Sequence, residues 1–169
     1  MVRNDASGHA APTVEVMTEL VVATDGSALG NPGPTGWAWY ADEANWRSGG
    51  AAAGTNNIGE LQAIRLALAD TGSRPLLVIA DSRYAIDCLT RFCFAWERNG
   101  WLTAAGKPVA NQELIREIRT LMRGRSIRFD WTKGHAGHLL NDRVDSLARD
   151  AATRARNGSP GPFGPGLRR

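Results

Sequence analysis

Apolar and polar positions along this chain follow two rhythms, a short one that suits strands and a longer one that suits helices. Glu19 to Thr24 is a mostly apolar run that stops at Asp25-Gly26-Ser27, which predicts a strand. Gly30-Asn31-Pro32-Gly33-Pro34 follows as a turn-rich loop. Trp37 to Ala41 and Asn45 to Ala52 predict two antiparallel strands joined around Asp42-Glu43. The period then lengthens. Ile58, Leu61, Ile64, Leu66 and Leu68 supply the apolar stripe of a helix running to about Thr71. Asn57 suits its N-cap, which puts Glu60 at the third helical position. Pro75 to Ala80 is a continuous apolar run, as in a buried strand. Ser82 opens a helix after Asp81 and leads into Phe92-Cys93-Phe94-Ala95-Trp96, then a loop from Asn99 to Pro108. Asn111 begins another helix that ends near Arg123-Gly124. Ile127 to Thr132 alternates like a strand, Lys133 to Leu140 is a loop, and Asn141 to about Arg156 is a final helix. Five strands interleaved with helices predict an α/β fold built on one mixed sheet.

The ends lack this rhythm. Residues 1–18 are expected to form a flexible leader. Residues 157–169 hold three Pro and four Gly, which predicts a disordered tail. One domain over 19–156 accounts for the rest, and 169 residues suffice for a sizeable core. The chain has no run of 18 apolar residues, and Met1 to Thr18 has no apolar signal core. A cytoplasmic monomer without membrane contact is the expectation. Cys88 and Cys93 match no common zinc spacing and are read as small packed side chains.

Chemistry enters with four carboxylates at the ends of predicted elements. Asp25 closes the first strand, Glu60 lies in the first turn of the first helix, Asp81 ends the buried strand, and Asp145 is one turn into the last helix. Singly, each has a structural use as a cap or a solvated acid. Strand ends form the rim where α/β sheets bind ligands. Four converging acids would repel unless divalent cations lay among them, and carboxylate oxygens suit Mg²⁺ or Mn²⁺. Two such ions about 3.5–4 Å apart stabilise both attacking and leaving oxygens in phosphodiester cleavage.

Here the sequence resembles the bacterial type I ribonuclease H (ribonuclease HI) family. The matching segments are Thr24-Asp25-Gly26-Ser27 with Gly30-Asn31-Pro32-Gly33-Pro34, Thr55-Asn56-Asn57 with Glu60-Leu61, and Asp81-Ser82. Lys133-Gly134-His135-Ala136-Gly137-His138 follows, then Asn141 and Asp145. They stand in the family's order and cover about residues 19–155. The resemblance implies a ribonuclease H-like, five-stranded sheet with three antiparallel strands and then two parallel ones. It implies an endonuclease that hydrolyses the RNA strand of RNA–DNA hybrids with little sequence specificity, clearing hybrids, R-loops and replication primers. Asp25, Glu60, Asp81 and Asp145 would hold two Mg²⁺ ions, with Mn²⁺ an acceptable substitute. Asp25 would bridge the ions, Asp81 would help hold the attacking water, and Glu60 would also touch a 2′-hydroxyl, the group that distinguishes RNA from DNA. His135 would carry a proton or position water during product release. His138 reads as structural.

By the same resemblance, Asn31 and Asn56 contact the hybrid across its minor groove, Asn57 lies beside them, and Thr55 holds a phosphate of the DNA strand. Residues of about 90–110, with Trp96, Arg98, Trp101 and Lys107, correspond to the family's handle, which binds DNA-strand phosphates. The handle here departs from the densely basic pattern, keeping only Arg98 and Lys107 between 92 and 110. Grip is then weaker, or shifted to Arg83, Arg91 and the arginines from 116 to 128. Net charge is +3, with 18 Arg and 2 Lys. Residues 83–128 carry nine basic and four acidic side chains, a net +5, which leaves −2 elsewhere. That asymmetry suits a surface tracking phosphates as well as solvated helix faces. Gly59 is a second departure, expected to weaken the helix start by up to about 1 kcal/mol. The rival readings are a catalytically silent hybrid-binding module and a DNA-acting nuclease of the same superfamily.

Overall fold

The structure is a computed structural model and describes residues 16–134 and 138–168. Its elements are β1 (Leu20–Ala28), β2 (Gly33–Asp42), β3 (Asn45–Gly54), α1 (Asn56–Thr71) and β4 (Leu76–Ala80). A helical run follows, made of α2 (Arg83–Asp87), a π-helical turn (Cys88–Phe92) and α3 (Cys93–Arg98). The remaining elements are α4 (Gln112–Met122), β5 (Ile127–Trp131), α5 (Leu139–Arg156) and β6 (Phe163–Gly166). The sheet order is β5-β4-β1-β2-β3-β6. β1, β2 and β3 are antiparallel, and β4 and β5 run parallel to β1. The expected mixed sheet is therefore present.

Period-two alternation divides the core between two faces. Val22 of β1 and Leu76 and Val78 of β4 pack against Leu61, Ile64 and Leu68 of α1, with Leu89, Ile115 and Ile118 from the later helices. Ala23, one residue along, turns to the other face with Ala38 and meets Val144 and Ala148 of α5. Small residues let helices sit low on this sheet. A Cβ at Gly26 would overlap the backbone of Gly59 and Glu60, and a Cβ at Gly36 would overlap the backbone of α5. A Cβ at Gly59 would lie 3.1 Å from Gly36 O and Thr35 Cγ2 and 3.2 Å from Gly26 Cα, so its cost to the helix start is offset by the close approach of α1 to β1 and β2. Gly26→Ala is expected to destabilise by about 1–3 kcal/mol through forced separation of backbones. A melting curve like that of the unaltered chain would contradict this.

The strand ends differ from the sequence reading. β1 continues past Asp25 because its register with β2 extends to Ala28↔Thr35. Gly33 and Pro34, expected in a loop, already belong to β2. Thr55, not Asn57, is the N-cap of α1, its hydroxyl accepting from Ile58 N at 3.2 Å. Glu60 is then the fifth helical residue and cannot serve as a capping-box acid.

The tail expected to be disordered is the clearest correction. Phe163–Gly166 forms β6, which adds a sixth strand beside β3, with Trp46↔Gly166 and Ser48↔Phe163 in register. Gly50 N donates to Pro160 O at 2.8 Å, and Arg168 N donates to Asn45 Oδ1 at 2.8 Å. The Arg154 guanidinium lies 4.6 Å from the Phe163 ring, and Leu167 packs on the core. Glycines at positive φ, including Gly164 at 97°, let this segment fold over Trp46. Composition flagged low helix and strand propensity, but an unpaired β3 edge supplied the partner. Residues 1–15 of the expected leader lie outside the described residues. Residues 16–19 are irregular, and Glu19 pairs with Arg128.

Candidate active site

Three predicted acids meet where β1, β4 and α1 converge. Thr24 of β1 stands beside Ala80, the last residue of β4, in parallel register, so Asp25, within β1, and Asp81, just past β4, lie side by side on the same rim. The Gly26–Gly59 contact brings α1 close enough for Glu60 to join them. Asp25, Glu60 and Asp81 each offer a carboxylate oxygen within 4.8 Å of the others. Asp145, on α5, lies near enough for its charge to act on Asp25, outside the group of three. It is also held by Arg149, Nε at 3.1 Å and Nη2 at 3.0 Å from its two oxygens. Sequence reasoning missed Arg149, although its i, i+4 spacing from Asp145 was available.

The electrostatics follow from that crowding. Asp25 is buried, and burial, then the charges of Asp81 and Asp145, push its carboxyl up to about 8. Burial first and then Asp25 and Asp81 hold the Glu60 carboxyl well above the usual carboxylate range. One backbone group opposes this trend, Gly26 N donating to Asp25 Oδ1 at 2.9 Å. Clustered hard oxygen donors that resist ionising together fit divalent metal ions, which would displace the shared protons.

Asp81 is braced from β5. Trp131 Nε1 donates to the Asp81 carbonyl at 3.1 Å, and Thr132 N donates to Ala80 O at 3.0 Å. The Arg83 guanidinium stacks on the Trp131 ring at 3.8 Å, so Arg83 borders the cluster. A Cβ on Gly134 would lie 2.8 Å from Asp81 Oδ2, so the Lys133-Gly134 segment begins against this carboxylate. His135 lies outside the described residues. His138 occupies the N-cap position of α5 without a side-chain cap bond.

The predicted amides are bound to one another. Asn31 Oδ1 accepts from Asn56 N at 3.2 Å, and Asn56 Oδ1 accepts from Ala28 N at 3.0 Å. The β1–β2 loop and the start of α1 are thereby locked together, and each NH₂ group faces away from the bond its oxygen makes. Asn57 is exposed beside them, and Thr55 caps the helix.

The handle residues separate into buried and exposed sets. Trp101 is 7% exposed, at φ 63°, with the Trp96 ring centroid 6.0 Å away and the Arg116 guanidinium 5.4 Å from its ring. It is packed as part of the loop's own support. Trp96 is half-buried, stacked also on Phe92 at 5.7 Å. Arg98 and Lys107 are exposed. Several later arginines are committed elsewhere. Arg125 donates to Leu68 O, Thr71 Oγ1 and Arg74 O at 2.8–3.0 Å, closing the end of α1. Arg128 pairs with Glu19, and Arg119 with Glu97. The cysteines Cys88 and Cys93 are buried and free, as expected.

Residues 17–153 match the family model described as RNase H. The chain is 51% identical over 150 residues to "Ribonuclease H" of Tropheryma whipplei (strain Twist), covering 88% of this chain and 93% of that one. It is 44% identical over 137 residues to "Ribonuclease H" of Zymomonas mobilis subsp. mobilis, covering 79% and 88%. Among solved structures it is similar to LC9-RNase H1, a type 1 RNase H with the type 2 active-site motif. That similarity has a TM-score of 0.72 at 27% identity, over 90% of this chain and 78% of the other. With these matches spanning the strands and helices that carry the acids, the chain belongs to the RNase H family.

Proposed function

We propose that this chain hydrolyses the RNA strand of RNA–DNA hybrids endonucleolytically, using two Mg²⁺ ions, with Mn²⁺ an acceptable substitute, at the Asp25–Glu60–Asp81–Asp145 cluster. The observation that carries the reading is the meeting of Asp25, Glu60 and Asp81 within one ligand sphere. Ions held there would supply charge stabilisation for the attacking and leaving oxygens of the scissile phosphodiester. Asp25 and Glu60, the acids most strongly opposed to ionising without metal, would hold the ions with Asp81, and Asp145 would join them from α5. Asp81, its backbone braced by Trp131, orients the attacking water through its carboxylate. Glu60 accepts from the 2′-hydroxyl, which DNA lacks. The Asn31 and Asn56 NH₂ groups donate across the minor groove without demanding a sequence, and Thr55 and Asn57 flank them. Arg83, Arg98 and Lys107 neutralise phosphates, with Trp96 supporting the handle from within. Among the described residues no helix is long and apolar enough to cross a membrane. We place the enzyme in the cytoplasm as a monomer, which a solution mass near 18.2 kDa would check.

Cleavage of a labelled hybrid, with duplex RNA and duplex DNA as controls, tests this directly. Cutting of the hybrid's RNA strand only with Mg²⁺ or Mn²⁺ is expected. Metal-independent binding without cutting would indicate a silent binding module, and cutting of duplex DNA would indicate a DNA-acting nuclease. His135 follows Lys133-Gly134, which starts against Asp81. As a proton carrier it should contribute roughly 10²-fold or somewhat less. His135→Ala is expected to be slow but active, with hybrid affinity little changed. An unaltered rate would deny it the role.

A further inference from the structure

We propose that the face of α4 turned towards α3 is a second contact surface for a nucleic-acid phosphate backbone, separate from the carboxylate cluster, with Arg116 and Arg123 as its anion-binding side chains. This rests on reading the substrate as a nucleic acid, and it adds a surface rather than a step. A cleft of about 250 Å³ lies between the two helices, lined by Glu97, Trp101, Arg116, Arg119, Thr120 and Arg123. Its internal charge pairing is incomplete. Arg119 commits its guanidinium to Glu97, 3.3 Å away, and reaches Leu89 O at 3.5 Å. That pair cancels the cleft's one acid. Among the described residues, Arg116 and Arg123 have no carboxylate within 4.0 Å. Arg116 lies instead 5.4 Å from the Trp101 ring and is exposed to solvent.

The shape favours an extended polyanion over a small one. Arg116 and Arg123 are seven residues apart, roughly 10 Å along a helix axis. That length reaches past one phosphate to its neighbour along a strand. Arg123 also lines an adjoining cleft of about 380 Å³, where Arg119 is paired with Glu97 and Arg125 is held by the end of α1, so Arg123 is the cation there without an internal partner. A single small anion would need guanidinium groups converging on one point, whereas these are strung along an edge. Thr120 offers no further donor, since its hydroxyl donates to Arg116 O at 3.0 Å.

The test uses the full chain with Asp25→Asn, so that bound hybrid stays intact, with and without Arg116→Ala/Arg123→Ala. Binding of a labelled RNA–DNA hybrid is measured over a range of salt concentrations. The arginine variant is expected to reduce the log–log salt slope by about 2, one for each phosphate no longer neutralised. Arg116→Lys/Arg123→Lys should keep most of the slope, because charge carries it. If the alanine variant melts early, Arg116→Gln/Arg123→Gln replaces it under the same expectation. A slope unchanged in the alanine or glutamine variant overturns the proposal. Arginine-dependent binding of an acidic peptide, with hybrid binding untouched, overturns it in favour of a protein partner. Failure of the hydrolase reading would appear separately, as an unaltered chain that binds hybrid yet never cuts it.

Discussion

Asp25→Asn is expected to slow hybrid cleavage by about 10³-fold or more, because it removes the acid at the centre of the metal site. The same change should stabilise the metal-free protein. Asp25 is buried among like charges, and its carboxyl is pushed up to about 8 from an ordinary 3.8. Below about pH 4 it is protonated folded and unfolded, and it costs nothing. Between about 4 and 8 the unfolded chain releases the proton while the folded chain retains it, so the folded state binds more protons and stability falls as pH rises. Above about 8 the cost is full and constant. Melting of the metal-free protein should therefore drop from pH 5 to pH 8, and Asp25→Asn should flatten much of that drop. Glu60, shifted the same way, leaves a remainder. Added Mg²⁺ should raise the melting temperature of the unaltered chain by mass action, and that of Asp25→Asn much less. Near-normal cleavage by Asp25→Asn, or a lower melting temperature without metal, would remove Asp25 from the proposed centre.

Removing residues 158–169 is expected to cost about 2–4 kcal/mol, read as a fall in melting temperature of roughly 5–10 °C. The deletion strips β6 from β3, uncovers Trp46 beneath Gly164, and takes Leu167 from the core and Phe163 from Arg154. It also bares the β3 edge, which presents unpaired backbone groups to other chains. Concentration-dependent aggregation should accompany the lower melting point. Hybrid cleavage well below the transition should persist, because β6 lies at the far edge of the sheet from β4 and β5. A truncated chain that melts like the full one would show that β6 contributes nothing to stability.

Much of the fold was legible because it is local. Apolar alternation marked the strands, the longer period marked α1, and a helix opens at Ser82, whose hydroxyl accepts from Ala85 N. Errors cluster where a partner distant in sequence decides. The reach of β1 to Ala28 depends on β2, whereas the α1 cap was a local misassignment, Thr55 taking the place given to Asn57. Gly59 read as a weakness of the helix because the sequence does not show Gly26 beneath it.

The site divides in the same way. Motif order named Asp25, Glu60, Asp81 and Asp145, and the strand-end positions of Asp25 and Asp81 placed them on one rim. Composition alone also set the basic balance of residues 83–128. Only the tertiary structure decided which charges are paired internally. It gave Arg125 to the end of α1, Arg128 to Glu19 and Arg119 to Glu97, while leaving Arg116 and Arg123 outward. It also turned a Gly- and Pro-rich tail into a strand. Propensity and periodicity act over a few residues of chain. Pairing of charges, close backbone approach and the filling of a sheet edge depend on distances that only the packed chain defines.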